Sequence, residues 1–367
     1  MTTTTSARPP WWVPQVRSLD WTCEPVSTRV RNFHRSLAGY APTPLVDLPT
    51  LARELGVGRV LAKDESNRLG LPAFKALGAS WAVRRVLDQA AEGQSLTIVA
   101  ATDGNHGRAV ARFARLLGHP SAIYIPAGVH AVAIQAIADE GAAVTVVAGS
   151  YDETVAVAAR AAEAPGTVLI QDTAWPGYEA IPGWIVAGYD TLFSEVDKQL
   201  ADLGLDRPDL VAVPTGVGSL LQAALAHYRS RTAAPGTAVV SVEPDTAGCI
   251  AASLAVGHPV TVQTGRTAMA GLNCGTPSSL AWPFVVQGLD AAVMVTEAAD
   301  VQAAHDLADL GVAAGPCGAA PLAAARAALT GSGSTHRREH LHLDSSSTVV
   351  LLVTEGDDSN PVPGSPA

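Results

Sequence analysis

Lysine is nearly absent: the 367-residue chain has only Lys63, Lys75 and Lys198. Chemistry that needs an imine-forming amine therefore has three possible addresses. The four cysteines, Cys23, Cys249, Cys274 and Cys317, are widely spaced and lack any Cys-x-x-Cys or His-rich pairing. That excludes the usual zinc patterns and a disulfide framework, so no metal is expected. No apolar run reaches the roughly 20 residues that span a bilayer. The opening MTTTTSARPPWWVP lacks the basic start and apolar stretch of a secretory signal. The 34 acidic and 24 basic residues give a net charge of −10 without long blocks of one sign, which argues against nucleic acid as a partner. The expectation is a soluble, cytoplasmic protein with no membrane attachment.

What the chain does contain is 48% hydrophobic residues, ample for a core, in a length that suits two domains. Short β-branched runs alternate with Ala-rich helical stretches, the pattern of an α/β fold with parallel sheets and crossover helices. Strands are expected at Val60–Asp64, Thr97–Ala101, Ala122–Ile125, Val144–Val147, Val168–Gln171, Leu210–Val213, Val239–Val242, Ala292–Val295 and Val349–Val353. Helices are expected at Ala73–Ala90, Arg108–Leu117, Tyr151–Ala162 and Leu220–Arg231. Thr330 to Ser347, with His336, His340 and His342, reads as a solvated loop without the buried surroundings a metal site needs. The final DDSNPVPGSPA reads as a tail, and no internal repeat is visible.

Four segments can carry chemistry. In RLGLPAFKALGA, Lys75 opens an apolar helix just after a Gly/Pro loop, where desolvation would lower its pKa toward the neutral amine. Lys198 lies on a mixed-charge helix face and Lys63 at an acidic strand end. ATDGNHG, from Ala101 to Gly107, joins a strand to a helix, the place where open α/β sheets bind ligands; Asp103 and Asn105 there are either turn residues or groups aimed into a crevice. PTGVGSLL, from Pro214 to Leu221, is a Gly-rich turn into a helix, suited to a phosphate. With the strand AVVSVE ending at Glu243 it imitates a dinucleotide fingerprint, but Leu221 stands where the third glycine belongs. In QDTAWPGYEAIPGWIVAGY, Asp172 is either a turn cap or a base beside Trp175, Tyr178, Trp184 and Tyr189.

Together these segments resemble the pyridoxal-phosphate-dependent fold-type II family, whose type is tryptophan synthase β, and look most like its diaminopropionate ammonia-lyases. GLPAFK around Lys75, TDGNHG at Thr102 to Gly107, QDTAW at Gln171 to Trp175, GVG at Gly216 to Gly218, and MAGLNCGTPS at Met269 to Ser278 carry the likeness, which runs from about Thr43 to Asp357. The resemblance implies two open twisted α/β domains with pyridoxal 5′-phosphate in the cleft between them. The larger would be residues 1–85 with 190–367, the smaller 86–189. Lys75 would hold the cofactor as a Schiff base, Asn105 would bond its phenolic oxygen, and Gly216, Val217, Gly218 and Ser219 would cradle its phosphate. Thr354 would set a hydroxyl against the pyridine nitrogen, a neutral partner better suited to elimination than to transamination.

The implied reaction removes the α-proton of a small amino acid, 2,3-diaminopropionate, expels the β-amine as ammonia and yields pyruvate. Asp103 and Asp172 would be the bases, one for each face of the α-carbon. A homodimer is implied as well. Pro72, Pro176 and GPCGAAPL at Gly315 to Leu322 depart from the family's pattern beside the substrate. A serine- or threonine-type dehydratase or a β-replacement synthase is therefore the alternative within the same chemistry, and a non-catalytic cofactor-binding or metabolite-binding protein the alternative outside it. Cys249 and Cys274 fall in segments that could meet, with reduced thiols expected in a cytoplasm.

Overall fold

The computed structural model describes residues 4–5, 11–102, 104–358 and 360–363. Two sheets form the frame. The larger runs, in spatial order, Trp12–Pro14, Ala291–Val295, Ala238–Pro244, Leu210–Pro214, Thr348–Val353, Arg59–Asp64 and Leu45–Asp47. The smaller runs Ala143–Val147, Ser121–Pro126, Thr97–Ala101 and Thr167–Leu169, all parallel. All nine expected strands are present within two residues at either end. The strands Leu210–Pro214, Ala238–Pro244 and Thr348–Val353 at the centre of the large sheet are buried along their whole length, as their mostly apolar runs require when helices cover both faces.

The large sheet departs from the all-parallel expectation at its edges. Trp12–Pro14 lies antiparallel to Ala291–Val295, and Leu45–Asp47 antiparallel to Arg59–Asp64. Each has three residues and so no readable alternation. The Thr-rich start also takes part in pairing, Thr4–Thr5 running parallel to Thr261–Val262. The stretch read as a loop from Thr330 to Ser347 contains a helix, Ser334–Leu341. What holds this short helix is tertiary: Leu341 is buried, Arg337 donates to the carbonyls of Ala328 (2.8 Å) and Thr330 (3.0 Å), and Arg338 donates to those of Leu329 and Leu55. Two arginines thus cap the final carbonyls of neighbouring helices, a use of charge that composition alone presents as solvation. In the C-terminal stretch read as a tail, two described residues are packed down: Asn360 donates to Ala268 O at 2.8 Å and Val362 is buried.

The helices Lys75–Leu87 and Ala180–Asp202 touch backbone to backbone. A Cβ added at Gly188 would lie 2.7 Å from Gly78 Cα, and one at Gly78 would lie 2.5 Å from the Tyr189 ring. Only glycine permits that approach. Beneath it lies a buried charge network. Arg68, fully buried, reaches Glu65 Oε1 at 2.6 Å and both Glu195 oxygens at 2.7 Å, while Lys63 Nζ lies 2.7 Å from Glu195 Oε2 and 2.8 Å from Thr43 O. Burial works against the Glu195 carboxylate, but Arg68 and then Lys63 bring it down to about 2. Among the described residues no helix is long and apolar enough to cross a membrane, and none of the four cysteines is in a disulfide.

Asp190 (2.8 Å) and Asp197 (2.7 Å) of the Ala180–Asp202 helix clasp His227 of the helix Ser219–Tyr228. Burial alone would lower its pKa; the two carboxylates outweigh it and raise the group from 6.5 to about 9. The clasp's contribution is then full below pH 6.5 and lost as pH rises through about 9, an effect on the order of 3 kcal/mol. Urea unfolding followed between pH 6 and pH 10 should show that decline, and H227Q should flatten it. A decline of the same size in H227Q would assign it to other groups.

Candidate active site

The carboxyl ends of strands from both sheets converge on one cavity of about 1070 Å³, where open α/β sheets place their ligands. Strand Arg59–Asp64 leads through a tight reversal to Lys75. In that reversal Arg68 and Leu71 exchange backbone hydrogen bonds (2.8 and 3.0 Å), with Leu69 at φ +55° and Gly70 at φ +72°. Two successive positive φ values make the turn type that suits Asn-Gly or Gly-Gly, and leucine in the first position is strained. The buried Arg68 network beside it holds the chain in place.

Lys75 is the first residue of its helix, and its Nζ sits 2.5 Å from Asp172 Oδ2. Asp172 follows the strand Thr167–Leu169 and is buried. Burial opposes its charge, but Lys75 first and His106 second hold the carboxyl well below the ordinary range. Its neighbour Gln171 accepts from Ala101 N (3.0 Å) and donates to the Tyr151 hydroxyl (2.8 Å), and the Asp172 carbonyl accepts from Ser219 Oγ (2.5 Å). The residue is therefore tied to the small sheet through its neighbour Gln171 and to the large one through its own carbonyl and Ser219.

Asn105 begins the helix Asn105–Leu116 and donates to Glu355 Oε2 at 2.6 Å. Thr102 Oγ1 accepts from Gly104 N (2.9 Å) and Gly107 N (3.0 Å); the amides of Asn105 and His106 find no partner among the described residues and stand at the cavity wall. Asp103 lies outside the described residues.

The turn Gly216, Val217, Gly218 and Ser219 also lines the cavity and opens the helix Ser219–Tyr228. Gly218 has φ +100°, and a Cβ there would lie 2.9 Å from Ala281 Cβ; one at Gly216 would lie 2.8 Å from Gly271 O and 2.9 Å from Cys274 Sγ. Bare backbone and a helix N-terminus at that point suit a phosphate. Thr354, buried on the wall at the end of strand Thr348–Val353, completes a set that fits pyridoxal 5′-phosphate: an amine, an anion cradle and a neutral hydroxyl around one space.

Other groups here were not singled out from sequence. Glu355 is buried and its pKa is raised by burial, against contacts from Cys317, Asn360 and Asn105; in TEGDD it reads as one more solvated acid. It packs against GPCG: Cys317 N donates to it (3.2 Å), and a Cβ on Gly315 or Gly318 would lie 2.7 Å from the backbone of Gly356 or Glu355. Tyr151, whose hydroxyl is 3.5 Å from Asp172 Oδ1, hides in sequence as the start of a capped helix. His106 is buried beneath the site, its Nε2 meeting Ile170 O at 2.8 Å. Glu243 is not in the cavity wall; it is buried and accepts from Ile250 N (2.7 Å) and Ala251 N (2.9 Å), capping a helix. Trp175 and Tyr178 stack on each other at 4.4 Å, and Tyr178 completes the strand end through Leu169 O and Gln171 N.

The model of the family "Pyridoxal-phosphate dependent enzyme" matches residues 37–355. The chain is 35% identical to the diaminopropionate ammonia-lyase of Escherichia coli strain K12 over 351 residues, covering 89% of this chain and 87% of that protein. It is equally similar to that of Salmonella typhimurium LT2, with 91% and 90% covered. Among solved structures, the Escherichia coli diaminopropionate ammonia-lyase in complex with D-serine superposes with a TM-score of 0.88 at 32% identity over 95% of this chain and 94% of that one. The same enzyme with an aminoacrylate-PLP azomethine reaction intermediate gives 0.86. Maize serine racemase gives 0.75 at 25% identity, covering 91% and 93%.

The glycine turn supplies a direct test. Gly218→Ala adds a Cβ both to a left-handed backbone and against Ala281, and it should weaken retention of pyridoxal 5′-phosphate at least about tenfold. Absorbance of the dialysed protein during cofactor titration reads this; undiminished affinity would remove the phosphate from this turn.

Proposed function

The chain belongs to the family of pyridoxal-phosphate-dependent enzymes, and from that premise we propose that it is a carbon–nitrogen lyase acting on 2,3-diaminopropionate, releasing pyruvate and ammonia by α,β-elimination. The observation that carries this reading is the Lys75–Asp172 pair, 2.5 Å apart at the mouth of a bare-backbone anion cradle, in a chain 35% identical to diaminopropionate ammonia-lyases over most of its length.

Bound at Lys75, the cofactor supplies an electron-accepting ring that makes an α-C–H bond acidic. The protein does the rest. Gly216 to Ser219 would hold the phosphate, Thr354 would offer the ring nitrogen an uncharged partner, and Asn105, steadied by Glu355, would bond the phenolic oxygen. The substrate carboxylate falls to the open amides of Asn105 and His106 at a helix N-terminus. Asp172 is a weak base while Lys75 stands beside it. Once the lysine charge is engaged elsewhere, the same buried carboxylate loses its main stabilising partner and its affinity for a proton rises. Deprotonation is thereby coupled to substrate entry. Asp103 serves as the second base, so that each aspartate works on one face of the α-carbon. The departing β-amine takes a proton from the Lys75–Asp172 pair, and the released enamine hydrolyses to pyruvate and a second ammonia.

Residues 86–189 form the smaller domain in this reading and close on the larger, 1–85 with 190–367, to exclude water during proton transfer. The enzyme works in the cytoplasm as a homodimer. Dehydration of serine or threonine is the second reading, favoured by the D-serine that the Escherichia coli relative accommodates.

The purified protein should form pyruvate and ammonia from D- or L-2,3-diaminopropionate, and Lys75→Ala should lose both this activity and the cofactor's bound absorbance band. Asp172→Asn and Asp103→Asn should each lower turnover of one enantiomer by about 10²–10⁴-fold and largely spare the other. Equal losses on both enantiomers would sink the division of labour. Bound cofactor with pyruvate from serine but none from diaminopropionate would move the substrate to the second reading.

A further inference from the structure

The cavity has one more acceptor for negative charge than the proposed reaction uses. Pyridoxal 5′-phosphate and 2,3-diaminopropionate bring two anionic groups, a phosphate and a carboxylate. The turn at Gly216 to Ser219 suits the first and the amides of Asn105 and His106 the second. On the same wall stands Arg266. Of the lysine and arginine side chains among the described residues lining the cavity, only Lys75 and Arg266 occur, and Lys75 is matched by Asp172. Arg266 is exposed, and its guanidinium makes no ion pair or hydrogen bond with the described residues.

Its backbone is nevertheless held on both sides. Gly265 N donates to Thr246 O (3.0 Å), and Gly265 O accepts from Asn273 Nδ2 (3.1 Å). Beyond it, Thr267 Oγ1 and Ala268 N each donate to Glu297 at 2.8 Å, and Ala268 O accepts from Asn360 Nδ2 at 2.8 Å. Glu297, an acid on this wall, therefore has both oxygens engaged by the loop itself instead of by the guanidinium. A guanidinium on a pinned loop, presented to the cavity with no carboxylate against it, is a prepared acceptor for an anion arriving with the ligand. There is also space for it: about 1070 Å³ exceeds what a cofactor and a three-carbon amino acid need, since whole drug-sized ligands fit in roughly 300–1,000 Å³.

We propose that Arg266 is a specificity-determining residue that selects amino acids whose β-nitrogen carries a further acidic group. This rests on the lyase reading and extends its substrate class. With a carboxymethyl group on the β-nitrogen of 2,3-diaminopropionate, the α-proton is removed and the Cβ–N bond breaks. The amine leaves with a proton as glycine, and water converts the remaining enamine to pyruvate and ammonia.

The test compares the holoenzyme with Arg266→Gln on two synthetic substrates, 2,3-diaminopropionate bearing a β-N-carboxymethyl or a β-N-(2-hydroxyethyl) group. Pyruvate release gives kcat/KM, and the cofactor's absorbance change on mixing gives apparent affinity independently of turnover. The unsubstituted holoenzyme should prefer the carboxymethyl substrate about ten- to hundredfold, the span of one charge-assisted contact, and Arg266→Gln should bring the ratio close to one. No preference in the unsubstituted enzyme, or a preference that survives in Arg266→Gln, would overturn the proposal. Failure of 2,3-diaminopropionate itself to yield pyruvate would instead count against the lyase reading, while the affinity ratio would still judge Arg266.

Discussion

Arg68, buried to the last atom among Glu65, Glu195 and Lys63, is the constraint on which the site's geometry rests. It precedes the strained Leu69–Gly70 reversal, and its partner Glu195 belongs to the helix that presses through Gly188 against the start of the lysine helix. One guanidinium thus fastens the loop before Lys75 to the element behind it. Buried networks of this kind contribute little net stability when complete, but removing one member leaves the others charged and unpaired, at about 3–5 kcal/mol. Geometry, more than stability, is what the network secures: Lys75 cannot drift from the strand ends without unmaking it.

The cavity pairs a lysine and a carboxylate that suppress each other in the resting protein. Asp172 stays ionised because Lys75 is beside it, and it is linked to the small sheet by Gln171 and to the large one by Ser219. Glu355 follows the opposite logic. Burial favours its neutral form, and amide donors from Asn105 and Cys317 orient it where Asp172 has a cation. Two carboxyl groups on one wall thus hold different protonation tendencies because of what stands against each.

Much of this arrangement is legible in the sequence because it depends on short range. The strands of the two sheets carry continuous β-branched or alanine runs. Lys75, Asn105, Gly216 to Ser219 and Asp172 stand between a strand and the helix after it, where turn residues mark the place, and Thr354 ends the last strand. What sequence leaves hidden depends on partners far along the chain. Glu355 is charged in composition and buried in fact; Ser334–Leu341 becomes a helix through arginines that reach carbonyls from Leu55 to Thr330; and the stretch from Asn360 to Pro363, polar and Pro-rich, is held to the cavity wall by Ala268. Three-residue edge strands carry no period to detect. Family likeness recovers the reacting groups, but Tyr151 and Arg266 answer to the cavity's shape and to charges placed around it.

The burial of Lys63 has a practical side. Of the three lysines, Lys63 is wholly enclosed and Lys75 lies on Asp172, while the Lys198 side chain is 69% exposed. Apart from the α-amino group, the folded surface therefore offers acylating or aldehyde reagents one readily accessible primary amine, on a helix face that does not line the reacting cavity. Coupling to a resin or a dye through that amine would attach every molecule in nearly the same orientation, with the cavity unmodified.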